Sequence, residues 1–484
     1  MSNARLPVIV SSDQDVEADR SLLGGKGASL FSMANLGLPV PSFFVLTTRT
    51  WHDWDKDGCL SETHISEVME MMGWLERQTG RTFGRGPRPL LVSVRSACAV
   101  SMPGMMDTIL NLGLTADTIG ALFQDFRSLQ IIADVITNFV GTATPVFAGQ
   151  RGRDAPTHPL IPETARDQLI GAIEGVFASW NNDRARLYRQ IHHIPDDYGT
   201  AAVVQAMVFG NADASSGTGV LFTRDPVTGA DEPRGEWVPA AQGEAIVSGR
   251  STPVPVAELA GSQPAVYAEL LRAAQQLEIA AGEPQDIEFT VEGGKLYLLQ
   301  TRALKVTPLA ACTITLALLD AGSISRQEAV RRLSSLDVTD LVTEMPRHPP
   351  HESLTLAAGL AASPGIARGT AAREVSLAGA PDGDLGMPWI LIRPETSPHD
   401  LPAMRKAAAL VTERGGLTSH AAIVARELRI PCVVGCGDLT MIRNGQEVTV
   451  DGTAGRIYEG ALETESSVPD VVRRAQALLT RPPE

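Results

Sequence analysis

The sequence predicts a mixed fold, α+β in its earlier part and α/β in its last third. Three observations predict it. Residues 1 to about 110 alternate short apolar strands with helical runs, and residues 200–302 are strand-rich and punctuated by glycine turns. A Pro/His stretch, Pro346-Arg347-His348-Pro349-Pro350-His351, then separates these from residues 355–465, which read as one compact α/β unit. A length of 484 residues predicts two to four domains by itself.

The elements follow in order. Leu36-Gly37-Leu38-Pro39-Val40-Pro41 is a turn into a strand at Phe43–Leu46. Residues 145–160, with Pro145, Gly149, Gly152, Pro156 and Pro159, read as a loop. From 163 to 193 the apolar positions Leu169, Ile170, Ile173, Val176 and Phe177 have helical spacing. Residues 308–342 return to helix. In the last third, strands are expected at Trp389–Ile392, Ala408–Val411, Cys432–Val434 and Glu447–Val450, and the tail from 466 is a short helix containing arginines.

Composition excludes several classes. A net charge of −15 argues against nucleic-acid and anionic-membrane binding, so phosphate-binding groups must be local Lys and Arg clusters. No apolar run reads as a membrane span, and the N-terminus lacks a signal-peptide core. The 5 cysteines are scattered without a C-x-x-C pair, which fits a reducing cytoplasm. Cys432 and Cys436 read as small core residues.

Several segments carry chemistry. Leu23-Gly24-Gly25-Lys26-Gly27-Ala28-Ser29-Leu30 is a glycine loop opening a helix. Glycines let backbone amides approach phosphate and the lysine adds a point charge, although a plain helix-start turn has the same appearance. Val92-Ser93-Val94-Arg95-Ser96 ends a strand on an arginine fork suited to phosphate, with a solvated arginine as the alternative. Ser101-Met102-Pro103-Gly104-Met105-Met106-Asp107-Thr108 reads as a mobile lid or a surface turn. Ser215-Ser216-Gly217-Thr218-Gly219-Val220 is a second phosphate-facing loop or a simple turn, and Gln242 in Ala241-Gln242-Gly243-Glu244 is equally ambiguous.

Asp286-Ile287-Glu288-Phe289-Thr290, Gly293-Gly294 and Leu296-Tyr297-Leu298-Leu299-Gln300-Thr301-Arg302 read as a β-hairpin. A three-residue loop sets Glu288 opposite Gln300 and Asp286 opposite Arg302; a two-residue loop puts these pairs on opposite faces. Positions 287, 289, 297 and 299 are expected to form the core face. Hard oxygen ligands beside a cation suit Mg²⁺ bound to a triphosphate, and cross-strand polar pairs on an exposed hairpin are the alternative.

The most telling segment is Gly415-Gly416-Leu417-Thr418-Ser419-His420-Ala421-Ala422-Ile423-Val424-Ala425-Arg426. Glycines end a loop, a Thr-Ser pair supplies cap chemistry and an Ala/Val/Ile run continues as helix. The imidazole of His420 thus lies at a helix N-terminus, where amides and dipole favour an anion and disfavour imidazolium. Such a ring is placed to attack phosphorus and keep the phosphoryl group, and taken by itself it reads equally as a histidine that caps or packs.

In this order, and together with Met-Val-Phe-Gly-Asn at 207–211 and Glu395-Thr396-Ser397-Pro398, these motifs resemble the pyruvate phosphate dikinase family over roughly residues 20 to 465. The resemblance implies an ATP-grasp nucleotide-binding domain at 1–342, a linker at 343–356, a swivelling β/β/α phosphohistidine domain at 357–465 and a tail at 466–484. It implies an ATP site of Lys26, Arg95, Asp286, Glu288, Gln300 and Arg302, with Met207, Thr218 and Gln242 around the nucleotide. Mg²⁺ would sit near Glu288, Gln300 and Asp286. His420 would be the nucleophile, assisted by Lys26, Arg95 and Arg302: it takes the β-phosphoryl of ATP, AMP leaves, and inorganic phosphate removes the terminal group as pyrophosphate. Thr418 matches a regulatory threonine of plant members and reads first as a cap residue.

The chain departs from the family at five places. It stops where the family's pyruvate- and phosphoenolpyruvate-binding barrel would begin. A glycine is Ala97, an arginine is Ala99 and an asparagine is Ala240. The 128–165 segment is shorter, with Arg127 as a remnant of its basic residues. These departures bear on the phosphoryl acceptor, which would be held by a separate barrel protein or be a small molecule. The competing reading is a non-catalytic nucleotide sensor built from a dikinase.

Overall fold

The computed structural model describes residues 8–100, 102, 105–126, 128–149, 161–242, 253–338, 341–348, 354–375, 388–397 and 400–480. The chain divides into two compact units. One holds residues 1–216 and 290–301, and the other 217–289 and 302–484.

The first unit is built on an antiparallel sheet. Its strands are β1 (Ile9–Ser11), β2 (Phe43–Leu46), β3 (Val92–Ala97), β4 (Thr108–Leu112) and β5 (Ala201–Ala206), in the order β1-β2-β5-β3-β4. Strand β2 occupies the expected residues, and all four are buried. Helices α1 (Arg20–Asn35), α2 (Leu129–Gly149), α3 (Ala165–Ala178) and α4 (Asp183–His192) belong to the same unit. On α3 the expected apolar positions Leu169, Ile173, Val176 and Phe177 are fully buried, with Ile170 half-buried. They join Val92, Val94 and Ile109 in one core.

Two expectations are corrected in this unit. The loop expected from 145 begins later, because α2 runs through Pro145 to Gly149; residues 150–160 lie outside the described set. The proline removes one backbone bond, but Phe139, Ala143, Val146 and Phe147 bury the helix face around it. Contrary to the sequence reading, this helix is long and apolar enough by length and composition to cross a membrane. Ile131, Ile132, Val135 and Phe139, at helical spacing, belong to the protein's own core.

The second unit opens with β6 (Gly217–Phe222) and β7 (Arg234–Pro239), antiparallel neighbours. A hairpin of β8 (Gln285–Glu292) and β9 (Lys295–Ala303) and the short strand Val254–Pro255, which pairs with β7, complete a five-stranded sheet in which β7, β6, β8 and β9 are successive neighbours. Helices α5 (Pro308–Asp320) and α6 (Arg326–Ser334) lie in the expected helical stretch, which ends at Ser334 rather than 342, and Thr307 caps α5 by accepting from the Ala310 amide at 3.1 Å.

Strand β10 (Thr343–Pro346) leads into an eight-stranded mixed sheet of β11 (Thr355–Ala358), β12 (Leu360–Ser363), β13 (Ile366–Ala372), β14 (Trp389–Arg393), β15 (Ala409–Thr412), β16 (Cys432–Val434), β17 (Glu447–Asp451) and β18 (Arg456–Glu459). Its order is β11-β18-β17-β13-β14-β15-β16-β12, with β13 to β16 parallel. The four expected strands are present within one residue of their expected ends. Helix α7 (His420–Leu428) connects β15 to β16 and buries Ala421, Ala422, Val424 and Ala425 in the core with Leu391, Leu410, Cys432 and Val434. The chain then returns. β19 (Thr464–Ser467) pairs antiparallel with β10, and α8 (Asp470–Thr480) buries Val472 and Ala475 among Cys312, Leu316 and Leu333.

Candidate active site

Of the residues the sequence selects, Lys26, Arg95, Met207 and Gln300 belong to the first unit, and Thr218, Gln242, Asp286, Glu288, Arg302 and His420 to the second.

In the first unit the glycine loop packs against the end of β3. Gly24 interrupts α1 with φ 66 and ψ 170, and a Cβ there would lie 1.8 Å from the Ala97 carbonyl oxygen. Only glycine fits both demands. The Gly25 amide donates to the Cys98 oxygen at 2.7 Å, and Lys26 Nζ donates to the Ser96 oxygen at 2.9 Å. Lys26 is thereby drawn to the strand end that carries Arg95. Arg95 Nη2 donates to Gln205 Oε1 at 2.5 Å and to the Leu299 carbonyl at 3.4 Å. Gln205 is buried on β5, and its amide nitrogen donates to the Pro41 oxygen at 3.1 Å. Met207 follows β5, half-buried, with its amide on the Leu91 oxygen at 2.9 Å.

The segment read as a lid is anchored at its flanks. Met102 is buried, Met105 and Met106 pack on the core, and Asp107 pairs with Arg184 at 3.0 Å. Burial raises the Asp107 pKa, against the lowering pull of Arg184. Ser101, Pro103 and Gly104 lie outside the described residues, as does Arg127.

The hairpin decides between the two registers that the sequence left open. Its loop is two residues, Gly293 and Gly294, with φ 57 and 75, the left-handed pair that a tight hairpin turn requires. Leu296 and Leu298 are fully buried, whereas Tyr297 and Leu299, expected on the core face, are half-buried. Counted outward from that turn, Asp286 would face Thr301. Yet Asp286 Oδ2 accepts from Arg302 Nε at 2.8 Å, and the Leu304 amide donates to the Pro284 oxygen at 2.8 Å. One extra residue is therefore taken up in β9, which has 9 residues against 8 in β8. The offset restores the Asp286–Arg302 pair that a three-residue loop would have given. Burial opposes the Arg302 charge, but Asp286 and Glu288 more than offset it and hold its pKa above the ordinary value.

The second oxygen of Asp286, Oδ1, is buried without a hydrogen-bond partner among the described residues. Glu288 is half-buried two residues along the same strand. Such an orphaned oxygen beside a second carboxylate fits Mg²⁺. Among the described residues no three His, Cys, Asp or Glu groups gather to hold a metal. Thr218 is buried, and its hydroxyl donates to the Phe289 oxygen at 3.2 Å. Gln242 is half-buried two residues beyond Ala240, which holds φ 50 without being glycine. Gly243 and Glu244 lie outside the described residues.

His420 is the first residue of α7. Ser419 is its N-cap, accepting from the Ala422 amide at 3.4 Å. Thr418, read from sequence as a cap, serves differently: its hydroxyl donates to the Glu236 carboxylate, which also accepts from the Leu417 amide at 2.6 Å. A Cβ on Gly416 would lie 1.6 Å from Glu236 Oε1, so the glycine makes room for that carboxylate. Arg426 braces the loop by donating to the Leu417 oxygen at 3.0 Å.

His420 Nδ1 lies 3.2 Å from Thr396 Oγ1. Thr396 begins a turn fixed by Asp400, which accepts from the Ser397 amide at 2.8 Å and its hydroxyl at 3.0 Å and pairs with Arg393 at 3.0 Å. Pro398 lies outside the described residues. With Nδ1 on the threonine hydroxyl, Nε2 is the ring atom available for attack. Burial lowers the His420 pKa, against the raising pull of Asp400 and Glu427. The ring is thereby held neutral, with a lone pair to offer. Glu236, Gln205 and Asp400 carried no signal in sequence. Thr396 stood inside a recognised motif, but with no role that spacing could assign.

The chain matches the family model "Pyruvate phosphate dikinase, AMP/ATP-binding domain" over residues 56–258 and "PEP-utilising enzyme, mobile domain" over 386–455. It is 38% identical over 506 residues to the pyruvate, phosphate dikinase of Clostridium symbiosum, covering 93% of this chain and 57% of that one. It is 38% identical to that of Rhizobium meliloti, with 92% and 56% covered, and 34% identical to the chloroplastic pyruvate, phosphate dikinase 1 of Zea mays, with 91% and 52% covered. The chain thus spans little more than half the length of these relatives. An NMR solution structure of Enzyme I is 30% identical over 22% of this chain and 39% of that one, at a TM-score of 0.16. Through its nucleotide-binding and mobile portions, the chain belongs to the pyruvate phosphate dikinase family.

Proposed function

We propose that the protein is an ATP-dependent phosphotransferase of the dikinase type that phosphorylates its own His420. The observation that carries this reading is the ring's setting: neutral by burial, first in its helix, with Nδ1 on Thr396 so that Nε2 attacks. Family membership supports it. The Nε2 lone pair attacks the β-phosphorus of ATP, the bond from that phosphorus to the α–β bridging oxygen breaks, and AMP leaves. An oxygen of inorganic phosphate then attacks the terminal phosphorus, pyrophosphate departs and phosphohistidine remains. The amides at the start of α7 favour the anion so formed.

In this reading residues 1–342 form an ATP-grasp nucleotide domain, 357–465 the phosphohistidine domain, 343–356 its linker and 466–484 the tail. Lys26, Arg95 and Arg302 stabilise phosphate charge, and Met207, Thr218 and Gln242 line the nucleotide. Glu288, Asp286 and Gln300 would hold Mg²⁺, which when bound neutralises charge on the phosphate oxygens. His420 is carried to the nucleotide by a swivel about the linker and tail. The phosphoryl group passes to an acceptor held by a separate phosphoenolpyruvate- or pyruvate-binding barrel or to a dedicated small molecule. The reading places the protein in the cytoplasm, where ATP is available.

Incubation with β- and γ-labelled Mg-ATP tests it. The expected result is AMP rather than ADP, with acid-labile label on the wild type and none on His420→Ala. ATP binding without AMP or label, with or without phosphate, would instead establish the nucleotide sensor.

A further inference from the structure

Ser29 lies three residues after Lys26, on the same face of α1. Its hydroxyl makes two bonds to one residue of β9. It donates to the Thr301 carbonyl at 2.8 Å and accepts from the Thr301 amide at 2.9 Å. Thr301 follows Gln300, and both belong to the same compact unit as Ser29. A serine in a helix usually bonds its own turn or water. This one reaches 272 residues along the chain.

The bonds around it close a triangle. Helix α1 is tied to β3 through Gly25–Cys98 and Lys26–Ser96. Strand β3 is tied to β9 through Arg95 and the Leu299 carbonyl. The Ser29–Thr301 pair joins α1 to β9 and completes the figure. Remove any one side and the other two leave a hinge. A site that acts by charge stabilisation loses rate when its charges are misplaced by about 1 Å.

The extra residue of β9 lies in this stretch. Backbone groups there are not all committed to the partner strand. The Leu299 carbonyl bonds Arg95, and the Thr301 amide and carbonyl bond Ser29.

We infer that Ser29 is a positioning residue, whose hydroxyl locks the lysine helix to the Gln300 strand so that Lys26, Arg95 and Gln300 meet the nucleotide in fixed register. This rests on the reading of these residues as the ATP site. The serine itself touches no reacting atom.

The test compares wild type, Ser29→Ala and Ser29→Thr as full chains. Single-turnover labelling of His420 and Mg-ATP affinity are measured together with hydrogen exchange of peptides covering 23–30 and 295–303. Threonine keeps the hydroxyl; alanine removes both bonds. The expected result for Ser29→Ala is a labelling rate reduced roughly 10- to 100-fold with affinity changed less than about threefold, the pattern of lost preorganisation. Ser29→Thr should recover the rate to within about threefold of wild type. In the exchange experiment, Mg-ATP should protect both peptides together in wild type and Ser29→Thr, and only one of them in Ser29→Ala. Ser29→Ala that labels at the wild-type rate, or that still protects both peptides together, overturns the inference. Equal losses in Ser29→Ala and Ser29→Thr would show a packing role and overturn it as well. A wild type that protects both peptides but never labels His420 refutes the phosphotransfer reading alone, and the exchange result still decides the role of Ser29.

Discussion

Glu236 and Thr418 are 182 residues apart in sequence and joined by a hydrogen bond from the threonine hydroxyl to the carboxylate. The same carboxylate takes the Leu417 amide. A charged acceptor thus fixes the two residues that lead into the Ser419 cap and His420. Bonds to a buried carboxylate are stronger than neutral ones, and leaving one unmade exposes the full desolvation cost.

Thr418→Val keeps the shape and removes the donor, so it should destabilise the second unit by about 1–2 kcal/mol. Thr418→Asp sets a second carboxylate against Glu236 and should cost more. Urea unfolding of the three proteins ranks them. If aspartate is tolerated as well as valine, the carboxylate does not hold this loop.

The pH profile of His420 labelling has a definite sign. Burial moves the ring's pKa down, so the neutral, attacking form persists below the usual histidine range. The rate should be flat through neutrality, with its acid limb below about pH 6.5. Glu427 pulls the other way, so Glu427→Gln should move the limb lower still. Stopped labelling across pH 4–8 would read both, and a limb above the ordinary value would contradict the assignment.

Ala240 holds a left-handed backbone, φ 50, with an exposed side chain. The resemblance gives asparagine here, a residue that tolerates this region better than alanine. Ala240→Asn and Ala240→Gly should each raise stability by about 0.5–1 kcal/mol, and Ala240→Val should lower it. Thermal unfolding of the set gives the order directly.

Chelation should abolish labelling. Asp286→Asn and Glu288→Gln should each raise the Mg²⁺ concentration needed for half-maximal rate by about tenfold or more, since each weakens a hard oxygen donor. Magnesium titration of the labelling rate separates these from Lys26→Ala, which should lower the rate at saturating metal.

Much of the fold was legible because burial and periodicity agreed. Phe43–Leu46 is bounded by Pro41 and wholly buried, so a short apolar run could only be a core strand. His420 was legible for a local reason, since the Ser419 cap and the glycine pair before it mark a helix start. Pro145 misled, because local turn chemistry was outweighed by the core face of a long helix. The hairpin register could not be read from sequence. Its turn fixes one pairing and an extra residue in β9 restores the other, and neither choice is encoded by alternation alone. Glu236, Gln205 and Ser29 were equally silent, since their partners come from segments far away in the sequence.

The paired strands β10 and β19 have Thr343 opposite Ser467 and Pro346 opposite Thr464, and the Arg347 amide bonds the Glu463 oxygen at 3.0 Å. Everything between them therefore departs and arrives at one point. A module with adjoining ends can be spliced into a new host, or cut out of this one, by altering a single joint without rethreading either piece. That makes 348–462 a cassette by its ends, and a host that receives it would also have to supply an acceptor in place of Glu236 for Leu417 and Thr418.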